Sequence, residues 1–433
     1  MASTVVIDSS HPRQYRIAVQ EPHRSRSSRR RLGVNTVCKL AALMLGLCCL
    51  ASHSQAADTP PPPSEPPASD TQTHTTLSDP DAVVTETEPK AEDSLWSRLL
   101  PLPIFITEPA IGEGIGATLI YFHDQDEVQD PVVETARSLS GSDEKPKPPP
   151  VATGIFAAYT NNDTAAVGIG HSNTFLEDRF RLRAAAVEAR INSDYYIGDQ
   201  SIEFQMRGNL LFSDLKTRLG DSEVFFGVSV SYADASNNFR TDLDEIDGIS
   251  LLDFDFIDAG IAASLIYDSR DNTLMPADGY LLEMTNWQYN ENLGGDFDYS
   301  TTRLRALWFH EFAERYVLGV RLDGTTAGGR PPFYAYPYVR LRGIPALRYQ
   351  GETATAAEIE GRYRISDRWS VSIFAGSGWI NIGDEQVEPD DTIRTYGIGG
   401  RFLALREQDA WVGIDVAQGP EELVYYIQIG TPW

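Results

Sequence analysis

The residues best suited to chemistry lie in the segment 339–351, VRLRGIPALRYQG, where arginines alternate with aliphatic side chains. Arg342 and Gly343 form an Arg-Gly pair between Leu341 and Ile344, and polar surface loops rarely place an arginine in such surroundings. A guanidinium buried among aliphatic side chains requires an anionic partner, because an unpaired interior charge is costly. The segment therefore predicts a long loop folded into the lumen of a β-barrel, with Arg342 paired to the barrel wall.

Catalytic and metal-binding arrangements are weak in the same sequence. His171 and Ser172 are adjacent at the end of a predicted strand, where successive side chains point to opposite faces, so they cannot pair as nucleophile and base. His123 and His310 are isolated, without neighbouring ligands at the spacing of a metal site. We therefore expect no enzyme activity, no cofactor and no metal.

The elements that could position Arg342 are short strands. After residue 95 no apolar run is long enough for a transmembrane helix, whereas segments with period-two alternation recur between turn residues. This pattern predicts fifteen strands, at residues 114–122, 152–160, 164–172, 179–190, 200–213, 223–232, 255–268, 280–290, 300–311, 316–325, 357–365, 369–381, 392–403, 410–417 and 423–433. Because outer-membrane barrels built from one chain usually have an even number of strands, we expect sixteen, with the remaining one near 103–107 or within 238–252.

These strands favour an all-β fold class, a transmembrane antiparallel β-barrel over residues 95–433. Several of them reach the length of about ten residues that crosses a bilayer. Tight turns at 177–178 and 313–314 contrast with long acidic loops at 124–150 and 239–253, and this asymmetry is typical of outer-membrane barrels. The final residues also fit the last strand of a soluble β-protein, which is the alternative to a membrane barrel.

The end of the chain predicts the strand that closes the barrel. Tyr425, Ile427, Ile429, Thr431 and Trp433 occupy alternate positions, so they would share one face of a strand, and the last of them is aromatic. Outer-membrane barrels typically end in such a strand, which the barrel assembly machinery reads. We therefore expect this machinery and outer-membrane lipid as partners.

The first residues predict export. An arginine-rich stretch precedes an apolar run at 40–51 and small residues at 54–56, which together indicate a signal peptide over residues 1–56. Residues 57–94 are Pro-rich and acidic with little to bury, which predicts a disordered periplasmic segment. All three cysteines lie within the predicted leader, and the net charge of −26 argues against nucleic acid as a partner. We expect the mature protein in the bacterial outer membrane.

A motif that follows one of the predicted strands resembles that of a known family. Asp268, Arg270, Asp271, Pro276 and Gly279 fit the pattern D-x-R-D-N…P…G-Y. The pattern is similar to the signature of the outer-membrane assembly-factor superfamily, the BamA/TamA-like and bacterial surface antigen proteins. In that family the strand ends at the Arg-Asp pair and the chain restarts after the glycine.

The lumen loop itself resembles the V-R-G-F/Y motif of this family at Arg342 and Gly343. Residues 357–365 and 372–379 resemble the E-x-R and F-x-D-x-G strands that follow the motif. The resemblance implies a sixteen-stranded barrel whose sixth extracellular loop enters the lumen, where the loop arginine binds acidic residues of the inner wall. It assigns Glu360 as one of these acids.

Two departures from the family pattern bear on function. Gly376 stands where the family has its second wall acid, so either Glu358, which shares the strand face of Glu360, replaces that acid or the loop is held more loosely. The segment 57–94 is too short for the POTRA domains with which family members recruit substrates, so the chain resembles the short branch without them.

The resemblance implies a protein that assists insertion or translocation of proteins or lipids at the outer membrane, working with a separate periplasmic partner. The alternative is a passive pore or structural barrel that keeps the fold without insertase activity.

Overall fold

A computed structural model of the protein describes residues 98–108, 111–123, 149–176, 178–197, 200–240, 245–246, 249–250, 253–381, 392–406 and 409–433. The predicted signal peptide over 1–56, the predicted disordered segment 57–94 and large parts of the loops at 124–150 and 239–253 lie outside the described residues. Helical structure in the described part of the chain includes the short 3-10 turns Glu291–Leu293 and Phe333–Ala335. No helix there is long and apolar enough to cross a membrane.

Strands dominate the described residues. They are β1 (Leu99–Glu108), β2 (Gly112–Phe122), β3 (Ala152–Thr160), β4 (Ala165–Phe175), β5 (Phe180–Ile197), β6 (Gln200–Arg218), β7 (Val224–Phe239), β8 (Glu245–Ile246), β9 (Ile249–Ser250), β10 (Phe254–Asp268), β11 (Gly279–Tyr289), β12 (Tyr299–Ala313), β13 (Tyr316–Gly329), β14 (Thr353–Arg364), β15 (Trp369–Asn381), β16 (Ile393–Leu405), β17 (Ala410–Gln418) and β18 (Leu423–Ile429). Strands β8 and β9 form a separate hairpin, and the other sixteen described strands form one antiparallel sheet in sequence order. The predicted all-β barrel of sixteen strands is confirmed, and β1, which contains residues 103–107, is the strand that the alternation pattern left out.

The sheet curls so that its first and last strands lie side by side. Leu100 and Leu102 of β1 share a buried apolar cluster with Ala410 of β17, and Val412 and Ile429 pack against this cluster. We call the boundary between β1 and β18 the seam. Because the strands alternate in direction, the connections alternate between two ends of the barrel.

One connection lies at an unexpected end. Phe122 at the end of β2 pairs with Ala152 at the start of β3, so the connection between these strands leaves and returns at one end of the barrel. The tight turn between Phe175 and Phe180 lies at the same end, because β4 runs in the same direction as β2. We call this end the turn end. The predicted contrast between tight turns and long loops is therefore wrong for residues 124–150. The direction of the strand decides the end of the barrel at which a loop emerges, and loop length does not.

The outer face of the barrel is apolar. Ile373 of β15 and Ile398 of β16 are 68% and 63% exposed, although both are large aliphatic residues. Similar exposed side chains continue around the sheet, among them Ile115, Val167, Leu265, Leu282, Met284, Leu304, Leu322, Ile359 and Ile414. A belt of this extent would promote aggregation in water, whereas it matches the lipid-facing band of a transmembrane barrel.

The inner face differs between the strands β2–β4 and the strands β12–β17. Paired residues of antiparallel strands share a face, so the faces can be traced around the wall from Glu360, which points into the lumen. Small residues occupy inward positions of β2–β4: Gly114, Gly116, Gly154, Ala158, Ala166, Gly168 and Gly170. Charged residues occupy inward positions of β12–β17: Arg303, Arg305, Asp323, Glu358, Glu360, Arg362, Arg401 and Asp415.

The connection between β13 and β14, residues 330–352, lies against the charged strands; we call it the lumen segment. Its backbone folds back on itself, with Val339 N–H donating to Tyr349 O (3.0 Å) and Gly351 N–H donating to Pro337 O (2.9 Å). Its aliphatic residues form one buried cluster with the inner wall, comprising Val339, Leu341, Ile344, Ala354, Ala356, Ile380 and Ile393. Each large aliphatic side chain buried in this way contributes about 1.5–3 kcal/mol, so apolar contacts hold the segment inside the lumen.

Candidate functional site

Arg342 is the centre of a buried ion cluster. Its side chain is 6% exposed, and its Nε donates to Glu358 Oε1 at 2.9 Å. One terminal nitrogen lies 2.8 Å from Glu360 Oε2 and 2.8 Å from Asp415 Oδ2, while the other also binds Glu358. The structure thus brings the loop arginine together with both glutamates that the sequence indicated.

Gly343 allows Arg342 to reach this position. Its φ is +89°, a left-handed conformation that glycine adopts without the strain a Cβ would bring. A Cβ at this residue would lie 3.0 Å from Gly419 N, in the turn between β17 and β18. The N–H of Gly343 donates to the hydroxyl of Tyr426 on β18 at 2.9 Å. The Arg-Gly pair therefore serves two purposes, since the arginine binds the wall and the glycine lets the backbone approach it closely.

The third acid, Asp415, is a residue that the sequence reasoning missed. It lies on the inner face of β17 and bridges two cations, because its Oδ2 binds Arg342 and both of its oxygens accept from Arg401 at 2.5 and 3.0 Å. The signal was present as a single acid within the apolar run GIDVA at 413–417. We use the name Arg342 cluster for Arg342, Glu358, Glu360, Arg401 and Asp415.

The position of the missing family acid is filled by the lumen segment. A Cβ built on Gly376 would lie 2.8 Å from Leu341 Cδ2, so the side chain of Leu341 occupies the space next to this glycine. An aspartate at Gly376 would collide with the segment. Asp415, from two strands further along the sheet, supplies a carboxylate in its place.

The electrostatics of the cluster favour a charged arginine. Burial by itself lowers the pKa of the Arg342 guanidinium, but the carboxylates of Glu358, Glu360 and Asp415 outweigh this effect and raise the pKa above its ordinary value. The guanidinium also lies 3.4 Å from the ring centroid of Phe374, a cation–π contact on the face that the carboxylates leave open. The arginine is therefore a permanent cation held from several sides.

Trp433 joins the cluster from the end of the chain. Its indole Nε1–H donates to Glu358 Oε1 at 2.6 Å. Its ring packs on Phe309 with centroids 5.6 Å apart, and it lies over Gly319, where a Cβ would come within 2.7 Å of the ring. The lumenal position of Trp433 gives the Arg342 cluster a contact with the residues that follow β18.

The position of Trp433 corrects the prediction that one face of the last strand carries all alternate residues. Tyr425, Ile427 and Ile429 do share the outer face, but β18 ends at Ile429. Gly430 then adopts φ +72° and its N–H donates to Trp411 O at 2.7 Å, after which the chain turns inward. A single left-handed glycine thus sends the final aromatic residue into the lumen instead of toward lipid.

The signature residues that follow β10 form a turn network. Asp268 accepts from Arg270 Nε at 2.8 Å and also binds Arg181, on β5, at 3.2 Å. Asp271 Oδ1 accepts from three backbone N–H groups, those of Asn272, Ala277 and Asp278, at 2.9 to 3.2 Å.

The same turn contacts the inner face of the barrel and the residues after β18. The carbonyl of Pro276 accepts from Arg362 on the inner face of β14, and the carbonyl of Leu274 accepts from Thr431 N–H at 2.6 Å. Gly279 closes the turn with φ +104°, where a Cβ would meet the backbone of Ser269. These residues have structural partners, and they link the turn end to β14 and to the end of the chain.

The histidines have structural partners as well. His123 and His171 each hydrogen-bond Thr153, at 2.8 and 2.9 Å. His310 lies 3.0 Å from Asp278. Within the described ranges of the chain, no group of three or more histidine, cysteine or acidic residues is arranged to hold a metal ion.

The seam is the second feature with functional potential. Apart from β1 and β18, the neighbouring strands of the barrel are joined pairwise by backbone hydrogen bonds along their length. Between β1 and β18, by contrast, the described residues form no hydrogen-bonded ladder. Side chains hold this boundary through the apolar cluster around Leu100 and Leu102. The barrel wall therefore has a line along which backbone groups can accept a further strand.

The Arg342 cluster contacts the strand on one side of this seam. On β18, Tyr426 binds the backbone of Gly343, and Gln428 donates to Asp415 Oδ2. Beyond the strand, Trp433 binds Glu358. One contact thus connects the lumen segment with β18, and two more connect the acids of the Arg342 cluster with β18 and with the residues that follow it.

Comparison with known proteins gives the following likenesses. Residues 152–336 match the Omp85 superfamily domain. A search of the curated proteins finds no match. Among solved structures, CdiB from Escherichia coli is similar with a TM-score of 0.53 and 10% identity, over 76% of this chain and 62% of that chain. BamA from Haemophilus ducreyi lacking POTRA domains 1-3 gives a TM-score of 0.49 and 11% identity, over 77% of this chain and 69% of that chain.

Proposed function

The chain belongs to the Omp85 superfamily through its domain at residues 152–336, and we propose that it inserts or translocates polypeptides at the outer membrane. Substrates would engage the seam between β1 and β18 through backbone hydrogen bonds. The action is physical and requires no catalytic residue or cofactor. A separate periplasmic protein would deliver substrates, and outer-membrane lipid surrounds the apolar belt.

The observation that carries this proposal is that the described residues of β1 and β18 form no hydrogen-bonded ladder with each other. Backbone N–H and C=O groups that face lipid have no water to bind, so an edge within a membrane has a strong tendency to pair with another strand. Strand addition at an open edge gives affinity through main-chain bonds and tolerates many sequences. Lipids offer no comparable row of donors and acceptors, so the seam favours polypeptides over lipids as substrates.

The Arg342 cluster supports the same function by holding one side of the seam in place. Contacts from Gly343 and Asp415 to β18 keep that strand aligned when the other side of the seam moves. A barrel that must open along one line needs such internal support, because an opened wall loses the rigidity of a closed one.

The alternative, a passive pore, predicts an unobstructed lumen. The lumen segment 330–352 and Trp433 lie inside the barrel, and the turn at 269–278 contacts the inner face of β14 through Pro276, which favours the insertase reading. Conductance in planar bilayers separates the two readings: a steady open channel with no effect on substrate insertion would support the pore.

The experiment that tests the proposal is a cross-link across the seam. Residues 57–433 contain no cysteine, so two introduced cysteines are the sole thiols of the mature chain. Leu100→Cys with Ile429→Cys, joined by a short cleavable bis-maleimide, fixes β1 to β18. Val412→Cys with Ile429→Cys is the matched control, since it shares Ile429 and joins residues that are already paired.

Activity is measured as the conversion of an unfolded outer-membrane barrel to its folded, heat-modifiable form in liposomes. We expect the seam cross-link to abolish the acceleration of folding and cleavage of the linker to restore it, while the control pair remains active. Full activity of the cross-linked seam would refute the proposed function.

A further inference from the structure

We propose that β18, and not β1, is the edge that receives the substrate strand. The partner is an extended polypeptide segment with alternating apolar residues, which pairs with Leu423–Ile429. This inference rests on the proposed function and adds which side of the seam does the pairing.

The orientation of β1 follows from one hydrogen bond. Phe122 N–H donates to Arg98 O at 2.9 Å, which places residues 98 and 122 opposite each other as a hydrogen-bonded pair. In an antiparallel ladder such pairs alternate with pairs that make no bond to each other. Leu100 and Leu102 therefore bond to β2, whereas the odd-numbered residues of β1 direct their N–H and C=O groups toward the seam.

Two of these seam-facing residues are prolines. Pro101 and Pro103 have no N–H, so the stretch 101–103 of β1 offers carbonyls but no donors to an incoming strand. Their own pairing with β2 is unaffected, because their nitrogens point away from it. Proline on an exposed edge is a known way of preventing a strand from pairing further. A substrate strand added to β1 would leave its own carbonyls without partners in a region that contains no water.

The edge of β18 is intact by the same reasoning. Gly430 N–H donates to Trp411 O at 2.7 Å, and Gly419 N–H donates to Glu422 O at 2.9 Å, so the even-numbered residues of β18 bond to β17. The odd-numbered residues face the seam, and among them Leu423, Ile427 and Ile429 each carry an N–H. The two sides of the seam thus differ in their capacity to extend the sheet.

Side chains on β18 add to this difference. Ile427 and Ile429 face outward, and Ile429 packs against the apolar cluster of the seam, so an added strand would have to present apolar side chains on the same face. On the inner face, Tyr426 and Gln428 bind the lumen segment and Asp415, which fixes the strand in one position. A fixed strand with an intact edge is a suitable template, whereas Pro101 and Pro103 interrupt the edge of β1.

The first test restores the missing donors. The double variant Pro101→Val/Pro103→Val gives β1 two seam-facing N–H groups, so β1 can pair with β18 and occupy the edge that substrates need. We expect folding of a substrate barrel to slow about tenfold or more, because each restored bond favours the closed seam. The temperature at which the folded gel band disappears should rise.

The control for this test is Phe105→Val, a seam-facing position of β1 that already has an N–H. It should leave both quantities unchanged. A double proline variant that folds, with its heat-modifiable band intact, and accelerates substrate folding as well as the parent chain would overturn the inference.

The second test locates the substrate directly. Single-cysteine variants Ile427→Cys and Phe105→Cys place a thiol on either side of the seam, and a substrate barrel with one cysteine in its last strand is trapped by oxidation during insertion. We expect adducts with Ile427→Cys and none with Phe105→Cys.

The possible outcomes separate this inference from the proposed function. Substrate insertion with adducts at Phe105→Cys, or with no adduct at Ile427→Cys, would overturn the inference alone. If the unmodified chain does not accelerate insertion, the proposed function fails and this inference fails with it.

Discussion

Replacing Arg342 by alanine should release the lumen segment from the barrel wall. The substitution removes one cation from among three carboxylates, two of which, those of Glu358 and Asp415, are completely buried at their side chains. Asp415 keeps Arg401 as a partner, and Glu358 keeps the indole N–H of Trp433. Glu360 loses the one ion pair that the described residues give it.

The magnitude follows from the cost of a broken buried ion pair. Removing one partner of such a pair costs about 3–5 kcal/mol, because the remaining charge stays buried without compensation. A loss of that size lowers the population of the docked segment by roughly a hundredfold to several thousandfold relative to the undocked one. The aliphatic contacts of Val339 and Leu341 remain, so the barrel itself should still form.

Two assays read the effect. Trypsin cuts after Arg348 when the segment 330–352 leaves the lumen, so the cleavage rate of the folded barrel reports undocking. The heat-modifiable gel shift, recorded over a temperature series, reports loss of the barrel. Both should move strongly for Arg342→Ala.

Arg340→Ala is the matched control. Arg340 lies two residues away in the same segment, and its guanidinium stacks over Tyr338 at 4.9 Å but forms no ion pair with a described residue. We expect a change of about 1 kcal/mol or less. Adding Glu358→Gln to Arg342→Ala should recover part of the loss, since a neutral amide does not require a cation. Equal cleavage rates for Arg342→Ala and Arg340→Ala would refute the view that the ion cluster holds the segment.

Two further predictions concern the surroundings of the cluster. Trp433→Phe keeps the ring contacts but removes the indole hydrogen bond to Glu358. The loss of a bond to a charged group should cost about 1.5–3 kcal/mol and lower the temperature of the gel shift. An unchanged temperature would show that the bond contributes nothing. Gly376→Asp supplies the acid of the family pattern but collides with Leu341, so trypsin should cut the lumen segment faster in this variant. The double variant Gly376→Asp/Leu341→Ala should be protected from trypsin again. Protection by Gly376→Asp alone would contradict the steric argument.

Period-two alternation was sufficient to predict most of the barrel. The resemblance to the family assigned Glu360 as a partner of Arg342. The shared face of Glu358 and Glu360 in the β14 sequence TATAAEIEGRYR, and the need of Arg342 for an anion, follow from the residues themselves. These are local properties of a strand and of a buried charge, and they do not depend on how the sheet closes. For this reason a single sequence carries them.

Other features depend on the closed sheet or on one dihedral angle. Asp415 is 73 residues from Arg342, and only the curvature of the wall brings β17 opposite the lumen segment. The inward turn of Trp433 depends on the left-handed conformation of Gly430, which leaves the alternation pattern unchanged up to that residue. The end of the barrel at which residues 124–150 emerge follows from the number of strands before them. That number includes β1, whose prolines interrupt the alternation pattern. The sequence pattern therefore did not predict contacts that depend on how the sheet closes, nor changes of chain direction at a single residue.

The uneven distribution of inward side chains implies unequal stiffness around the wall. Ion pairs link β14 and β17 through the lumen segment, so we expect these strands to resist deformation as a unit. The three strands β2–β4 carry glycine and alanine inside and lack such ties among their described inward residues. If the wall opens, we expect these three strands to move most and their amide hydrogens to exchange fastest. The strands that carry small residues would then set the side on which the barrel opens.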